Sequence, residues 1–143
     1  MNKKVLIASD HAGFDLKQKL IEKMPKNTFE NLGTNSLESV DYTDYANKLA
    51  RIISLDKSKK GVLICGTGVG MSVAANKFKS IRAGLVFNSK VAKLIREHND
   101  ANILVLPGKY MDIHEAKKCV DNFLSSSFEG GRHTRRLNKF IKK

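Results

Sequence analysis

Cys65 ends an apolar run and opens a glycine-rich stretch, "GVLICGTGVGMS" from Gly61, with Gly66, Gly68 and Gly70 at alternate positions. A thiol placed ahead of a turn into a helix meets the positive end of the helix dipole. That field favours the thiolate, which can serve as a base or a nucleophile. The plainer role for a free cysteine at the end of a buried strand is packing. The loop itself fails two familiar nucleotide tests. A dinucleotide loop reads G-x-G-x-x-G with an acid about twenty residues on, whereas here the next apolar run ends at Phe87-Asn88 with no acid. A Walker loop closes on G-K-[ST], and this one continues Gly70-Met71-Ser72. What is left is either a tight strand–helix turn or a set of backbone N–H groups converging on one anionic oxygen.

Two histidines stand where acid–base chemistry can use them. His11 follows an apolar run and Asp10, and His98 lies in "REHND" beside Asn99. Imidazoles titrate near neutrality and transfer protons well, and both are expected on the ligand side of an α/β sheet. A histidine at a helix end can equally well just complement the dipole. Arg132 and Arg136 are four apart in the tail "GGRHTRRLNKFIKK". On a helix that spacing puts two guanidinium groups on one face, a phosphate clamp, with a solvated basic terminus as the alternative. His133 reads as part of that basic tail, His114 as an exposed helix residue and Cys119 as a packing residue.

Short apolar runs alternate with amphipathic stretches and supply the scaffold. Strands are expected at 4–9, 28–33, 61–65, 81–87 and 102–108. Helices are expected at 14–24, over the face of Tyr45, Leu49, Ile52 and Ile53 with Thr43 or Asp44 as its cap, and at 70–78, 89–100 and 112–126. Leu137, Phe140 and Ile141 would anchor a last helix in the tail, 131–143. Strict alternation with apolar strands implies one α/β domain over 1–143, its parallel sheet covered on both faces. Ligands in such sheets bind beyond the strand carboxyl ends where the winding reverses. If the first and third strands are neighbours, as in the flavodoxin-like order, Ser9-Asp10-His11 and Cys65-Gly66-Thr67-Gly68 face one crevice.

Composition narrows the function further. Hydrophobic residues at 41% and charged residues at 28% suit a soluble globular chain. No apolar run reaches the roughly 20 residues that span a bilayer, and the N-terminal run is too short for a signal core, so a cytoplasmic location is expected. Two cysteines make no disulfide framework. Of the net charge of +12, six units lie in the tail, and with aromatics at 7% and no tryptophan there is no platform for stacked bases. Nucleic-acid binding is therefore not the expected main function.

"SDHAGF", "DYTDYA", "ICGTGVGMSVAANK", "IRAGL", "REHNDANIL" and "FEGGRHTRR" together resemble ribose-5-phosphate isomerase type B over essentially the whole chain. The wider group holds allose-6-phosphate isomerase and the galactose-6-phosphate isomerase subunits. The resemblance implies a Rossmann-like three-layer α/β/α sandwich with a five-stranded parallel sheet. It also implies cofactor-free, metal-free interconversion of ribose 5-phosphate and ribulose 5-phosphate through a cis-enediolate. Cys65 then matches the catalytic base and His98 the ring-opening group, with Thr67 assisting. Asp10 and Asn99 match sugar contacts, and the amides around Gly66, Gly68 and Gly70 would receive the enediolate. His11, Arg132 and Arg136 match the phosphate set. A further basic position after the fifth strand is Lys109, a point charge rather than a two-pronged contact. The resemblance implies a homodimer or homotetramer with sites at subunit interfaces. Two other readings stand beside it: a hexose-phosphate isomerase on the same scaffold, and a non-catalytic sugar-phosphate-binding module, which would not need Cys65 and His98 together.

Overall fold

The computed structural model describes residues 3–140. Five strands, β1 (Val5–Ser9), β2 (Phe29–Asn31), β3 (Gly61–Cys65), β4 (Ala83–Leu85) and β5 (Ile103–Pro107), form one parallel sheet in the order β2-β1-β3-β5-β4. The three central strands are buried along their whole length and read as unbroken apolar runs, as strands covered on both faces must. The edge strands are shorter and only partly covered.

The helices α1 (Phe14–Lys23), α4 (Ser89–Asn99) and α5 (Ile113–Ser125) cover one face. Leu20, Ile95 and Phe123 pack there against Ile7, Ile64 and Leu104, while α2 (Tyr42–Leu55) and α3 (Val69–Ala75) bring Leu49, Ile53 and Met71 to Leu6, Leu63 and Val105 on the other. Alternate residues of each strand face opposite ways, which is why two separate cores grow from one sheet. Steps from β1 to β2 and from β4 to β5 pass over the α1 and α4 face, and the reverse-direction steps pass over the other, so all four crossovers share one hand.

The first and third strands are neighbours, as the crevice argument requires. The far side departs from the flavodoxin-like order, because β5 lies between β3 and β4. Several boundaries also contract. The strand expected at 81–87 is only Ala83–Leu85, and the helix expected over 70–78 ends at Ala75, where Asn76 turns to bond the edge strand through Ala83. Asp41, not Thr43 or Asp44, occupies the N-cap of α2. The tail helix, α6, is confined to Arg132–Leu137 rather than 131–143; Phe140 is exposed and Ile141 lies outside the described residues.

Candidate active site

Three adjacent strands end side by side and carry the first cluster. Ser9 pairs with Ile64 and Cys65 with Pro107, so Asp10, Cys65 and Gly108-Lys109 emerge in one row. The row is stitched by backbone bonds: Asp10 N–H to Ile64 carbonyl at 3.2 Å, Gly108 N–H to Cys65 carbonyl at 2.7 Å, and Lys109 N–H to Gly66 carbonyl at 3.0 Å. The Asp10 carboxylate is buried and accepts from Gly13 N–H at 3.0 Å. His11 accepts Val40 N–H at Nδ1 (3.1 Å), which leaves the proton of a neutral ring on Nε2 and makes that nitrogen a donor. Cys65 is 5% exposed and packs with Ala8 and Met71.

The three loop glycines have separate causes. Gly68 has φ +80°, and a Cβ there would stand 2.4 Å from Leu85 Cδ1. A Cβ on Gly70 would meet the Tyr42 ring at 2.5 Å. At Gly66 the nearest atom would be Ala12 Cβ at an ordinary 3.6 Å, so packing does not explain that glycine. Among the described residues, the N–H groups of Gly66, Thr67, Gly68 and Gly70 have no protein acceptor. The exposed Thr67 accepts Val69 N–H at Oγ1 (3.2 Å) and keeps its own hydroxyl hydrogen to donate. The carboxyl edge thus offers free amide donors beside a thiol, an arrangement suited to an oxyanion next to a base.

The second cluster lies at the opposite edge, against the expectation that both histidines share the ligand side. Helix α4 starts beyond the carboxyl end of β4, capped by Asn88 Oδ1 on Val91 N–H at 2.9 Å, and runs its 11 residues back along the sheet. It ends at Asp100, in the left-handed region at φ 48°, where Ala101 N–H bonds Ile95 carbonyl at 3.0 Å. Two residues later Asn102 bonds the starts of both β3 and β4, through Gly61 N–H and Arg82 carbonyl. His98 and Asn99 therefore sit beyond the strand amino ends, and a five-residue strand alone separates the edges by about 13 Å. The reason is topological: a helix after a parallel strand must return antiparallel to it, so its last turn lies at the far edge.

Arg132 and Arg136 follow His98. Glu129 N–H bonds Glu97 carbonyl at 3.0 Å, and the chain turns at Gly130 (φ +73°) and Gly131 (φ +57°) into α6. The two arginines are exposed, and His133 between them is buried, stacked on His98 with ring centroids 4.3 Å apart and planes 15° apart. Burial, and then the neighbouring Arg132 charge, pull the His133 pKa down and keep the ring neutral. Ligand atoms of His98, Glu129 and His133 lie within 4.8 Å of one another. Nearly parallel rings send their in-plane lone pairs past each other, so one ion cannot sit in both planes. The group is a stack with a carboxylate, and it does not have the geometry of a coordination sphere.

The sequence reading leaves Glu129 unnamed and takes His133 only as part of the basic tail, although their four-residue spacing across two glycines is a usable signal. It also passes over Lys17, fully buried on α1. Its ammonium donates to Asn31 Oδ1 at 2.9 Å and Gln18 Oε1 at 3.1 Å, and burial lowers its pKa to about 8. Cys119 is a core residue whose thiol burial pushes up to about 12.

The ribose/galactose isomerase family model matches residues 5–140. The chain is 45% identical over 144 residues to a protein of Mycoplasma pneumoniae named probable ribose-5-phosphate isomerase B, covering 99% of this chain and 95% of that one. Ribose-5-phosphate isomerase B of Thermotoga maritima superposes with TM-score 0.90 at 48% identity, with 97% of each chain covered. The Mycoplasma genitalium ribose-5-phosphate isomerase B structure with bound ribulose 5-phosphate has TM-score 0.92 at 42% identity, covering 99% of this chain and 95% of that one.

Proposed function

The chain belongs to the ribose/galactose isomerase family, and we propose that two copies of it together interconvert ribose 5-phosphate and ribulose 5-phosphate, each site combining Cys65 of one copy with His98 of the other. The observation that carries this reading is the placement of those two residues at opposite edges of one sheet. Neither edge alone has both a base and a ring-opening group. The exposed Val69 and Val73, one helical turn apart on α3 beside the glycine loop, supply an apolar strip on which a second copy can close. Bound ribulose 5-phosphate in the Mycoplasma genitalium relative supports a pentose over a hexose phosphate.

The division of labour follows from residue chemistry. His11 and Lys109 of one copy and Arg132 and Arg136 of the other hold the phosphate from two sides, as charge-assisted donors. Asp10 and Asn99 take sugar hydroxyls. In the closed furanose the bond between C1 and the ring oxygen must break while a proton moves from the C1 hydroxyl to that oxygen. His98 carries that proton, with the Thr67 hydroxyl as a donor nearby. The Cys65 thiolate then removes the proton from C2 and returns it to C1, while the proton of the C2 hydroxyl passes to the C1 oxygen, so that C1 becomes the alcohol and C2 the ketone. The enediolate oxygen between these steps faces the free amides from Gly66 to Gly70, each worth about 3–4 kcal/mol in comparable oxyanion sites. The two cysteines are free and buried, and among the described residues no helix is long and apolar enough to cross a membrane. These features fit a reducing cytosolic setting.

Mixed subunits test the shared site. Cys65→Ala and His98→Asn proteins should each be nearly inactive. Dissociated and reassociated in equal amounts, they should recover about a quarter of wild-type activity, because half the pairs are mixed and each mixed pair rebuilds one of two sites. No recovery, with mixed pairs demonstrated by mass, would reject the shared site.

A further inference from the structure

We infer that Glu129 and His133 position His98 for ring opening, Glu129 by facing the imidazole that gains a proton and His133 by fixing its plane. The inference rests on His98 being the ring-opening group. A residue that carries a proton between two oxygens of one sugar must keep its ring in place and needs a partner for the charge it briefly gains. On the last turn of α4 the His98 side chain is 37% exposed, so solvent alone would leave the ring free to rotate.

His133 removes that freedom. It is buried, lies 4.3 Å below His98 at an interplanar angle of 15°, and is held by the turn at Gly130-Gly131 and the Glu129–Glu97 backbone bond. Because burial keeps it neutral, a charged His98 above it meets a polarisable ring and not a like charge. Glu129 Oε1 lies 4.0 Å from His98 Nε2 and 3.5 Å from His133 Nε2. Among the described residues the buried His133 Nε2 has no hydrogen-bond partner, and the Glu129 carboxylate lies within ion-pair reach of both rings. Other charges around the stack are otherwise engaged or oppose protonation. On α4 itself Arg96 pairs with Asp100, and Lys93 with Glu97; from α6, Arg132 and Arg136 disfavour a charged His133. Glu129 is the carboxylate that counters them.

The substrate's own chemistry separates this role from a general structural one. Ribose 5-phosphate closes through its C4 oxygen and must be opened. Ribulose 5-phosphate cannot form the equivalent five-membered ring, because the C5 oxygen that would close it carries the phosphate. Exchange of the C1 proton of ribulose 5-phosphate with solvent therefore needs Cys65 and the loop amides, and not ring opening. Glu129→Gln should lower kcat on ribose 5-phosphate by roughly 10-fold, less than the loss of the acid–base group itself would cost, and leave C1 exchange in heavy water within about twofold. His133→Phe, which keeps an aromatic stack, should retain more ring-opening activity than His133→Ala. Equal losses of turnover and exchange in Glu129→Gln, or no loss in either, would overturn the inference. His98→Asn in the same two assays separates the levels. If it fails to lose ring opening selectively, the role given to His98 falls; if it succeeds while Glu129→Gln does not, only the positioning role falls.

Discussion

At the carboxyl edge Asp10, Cys65 and Lys109 leave three neighbouring strands, and the sheet's own hydrogen bonds set their spacing. At the amino edge His98, Asn99, Arg132 and Arg136 depend on the end of one helix and on a short return segment held by two glycines and a backbone bond. The first arrangement is rigid because moving a residue breaks a ladder. The second is set by helix capping and side-chain stacking, interactions worth about a kilocalorie each. In the proposed reaction, proton abstraction from carbon, which tolerates little misplacement, falls to the ladder-held edge. Ring opening and the arginine half of the phosphate set fall to the edge built from long side chains.

The difference can be tested by damaging one edge at a time. Cys65→Ala should give the largest effect, a fall in kcat of about 10²-fold or more, the scale of a lost acid–base group. It should abolish C1 proton exchange in ribulose 5-phosphate as well, since both halves of the reaction need the base; exchange that persists would move the base elsewhere. Arg136→Ala comes next, and should raise KM for the sugar phosphate by about 10-fold, as expected for one charge-assisted contact. Its kcat should change little, and an unchanged KM would take Arg136 out of the phosphate set.

The smallest effect concerns stability. Lys17 has a folded pKa of about 8, lowered from the ordinary lysine value by burial. Between that value and the unfolded lysine pKa the unfolded chain binds more protons, so stability rises with pH through this window. The cost of burying the ammonium is fully present below about pH 8. Melting temperatures from pH 8 to 10 should therefore climb more in the wild type than in Lys17→Met. Parallel curves would show that Lys17 stays charged in the fold.

The two edges were unequally legible. Apolar runs such as Val62-Leu63-Ile64 gave the central strands, and strand-end logic led straight to Asp10 and Cys65, because a residue that follows a strand stays at its carboxyl edge whatever the strand order. The sequence reads His98 at the end of a helix, but expecting it on the ligand side overlooks that a helix after a parallel strand returns antiparallel to it, which puts its last turn at the amino edge. His133 was hidden by its surroundings. In a run of six basic residues one histidine looks solvated, and only the fold shows it buried against another ring. The extent of β4 was overestimated because its apolar residues serve an edge, where half a face suffices.

The strand order also bears on synthesis. β4 pairs with β5 alone, and β3 gains its second neighbour only from β5. As the chain leaves the ribosome, everything up to Asn102 can assemble no more than β1, β2 and β3, with one side of β3 open and β4 unpaired. Completion waits for Ile103–Pro107, the last strand made and one of the most buried. Lys109 follows it by two residues, so the row beside Cys65 cannot close before the chain has been translated through residue 109. A nascent chain stalled before that point presents an open strand edge, the kind of surface that chaperones shield and that neighbouring chains can capture.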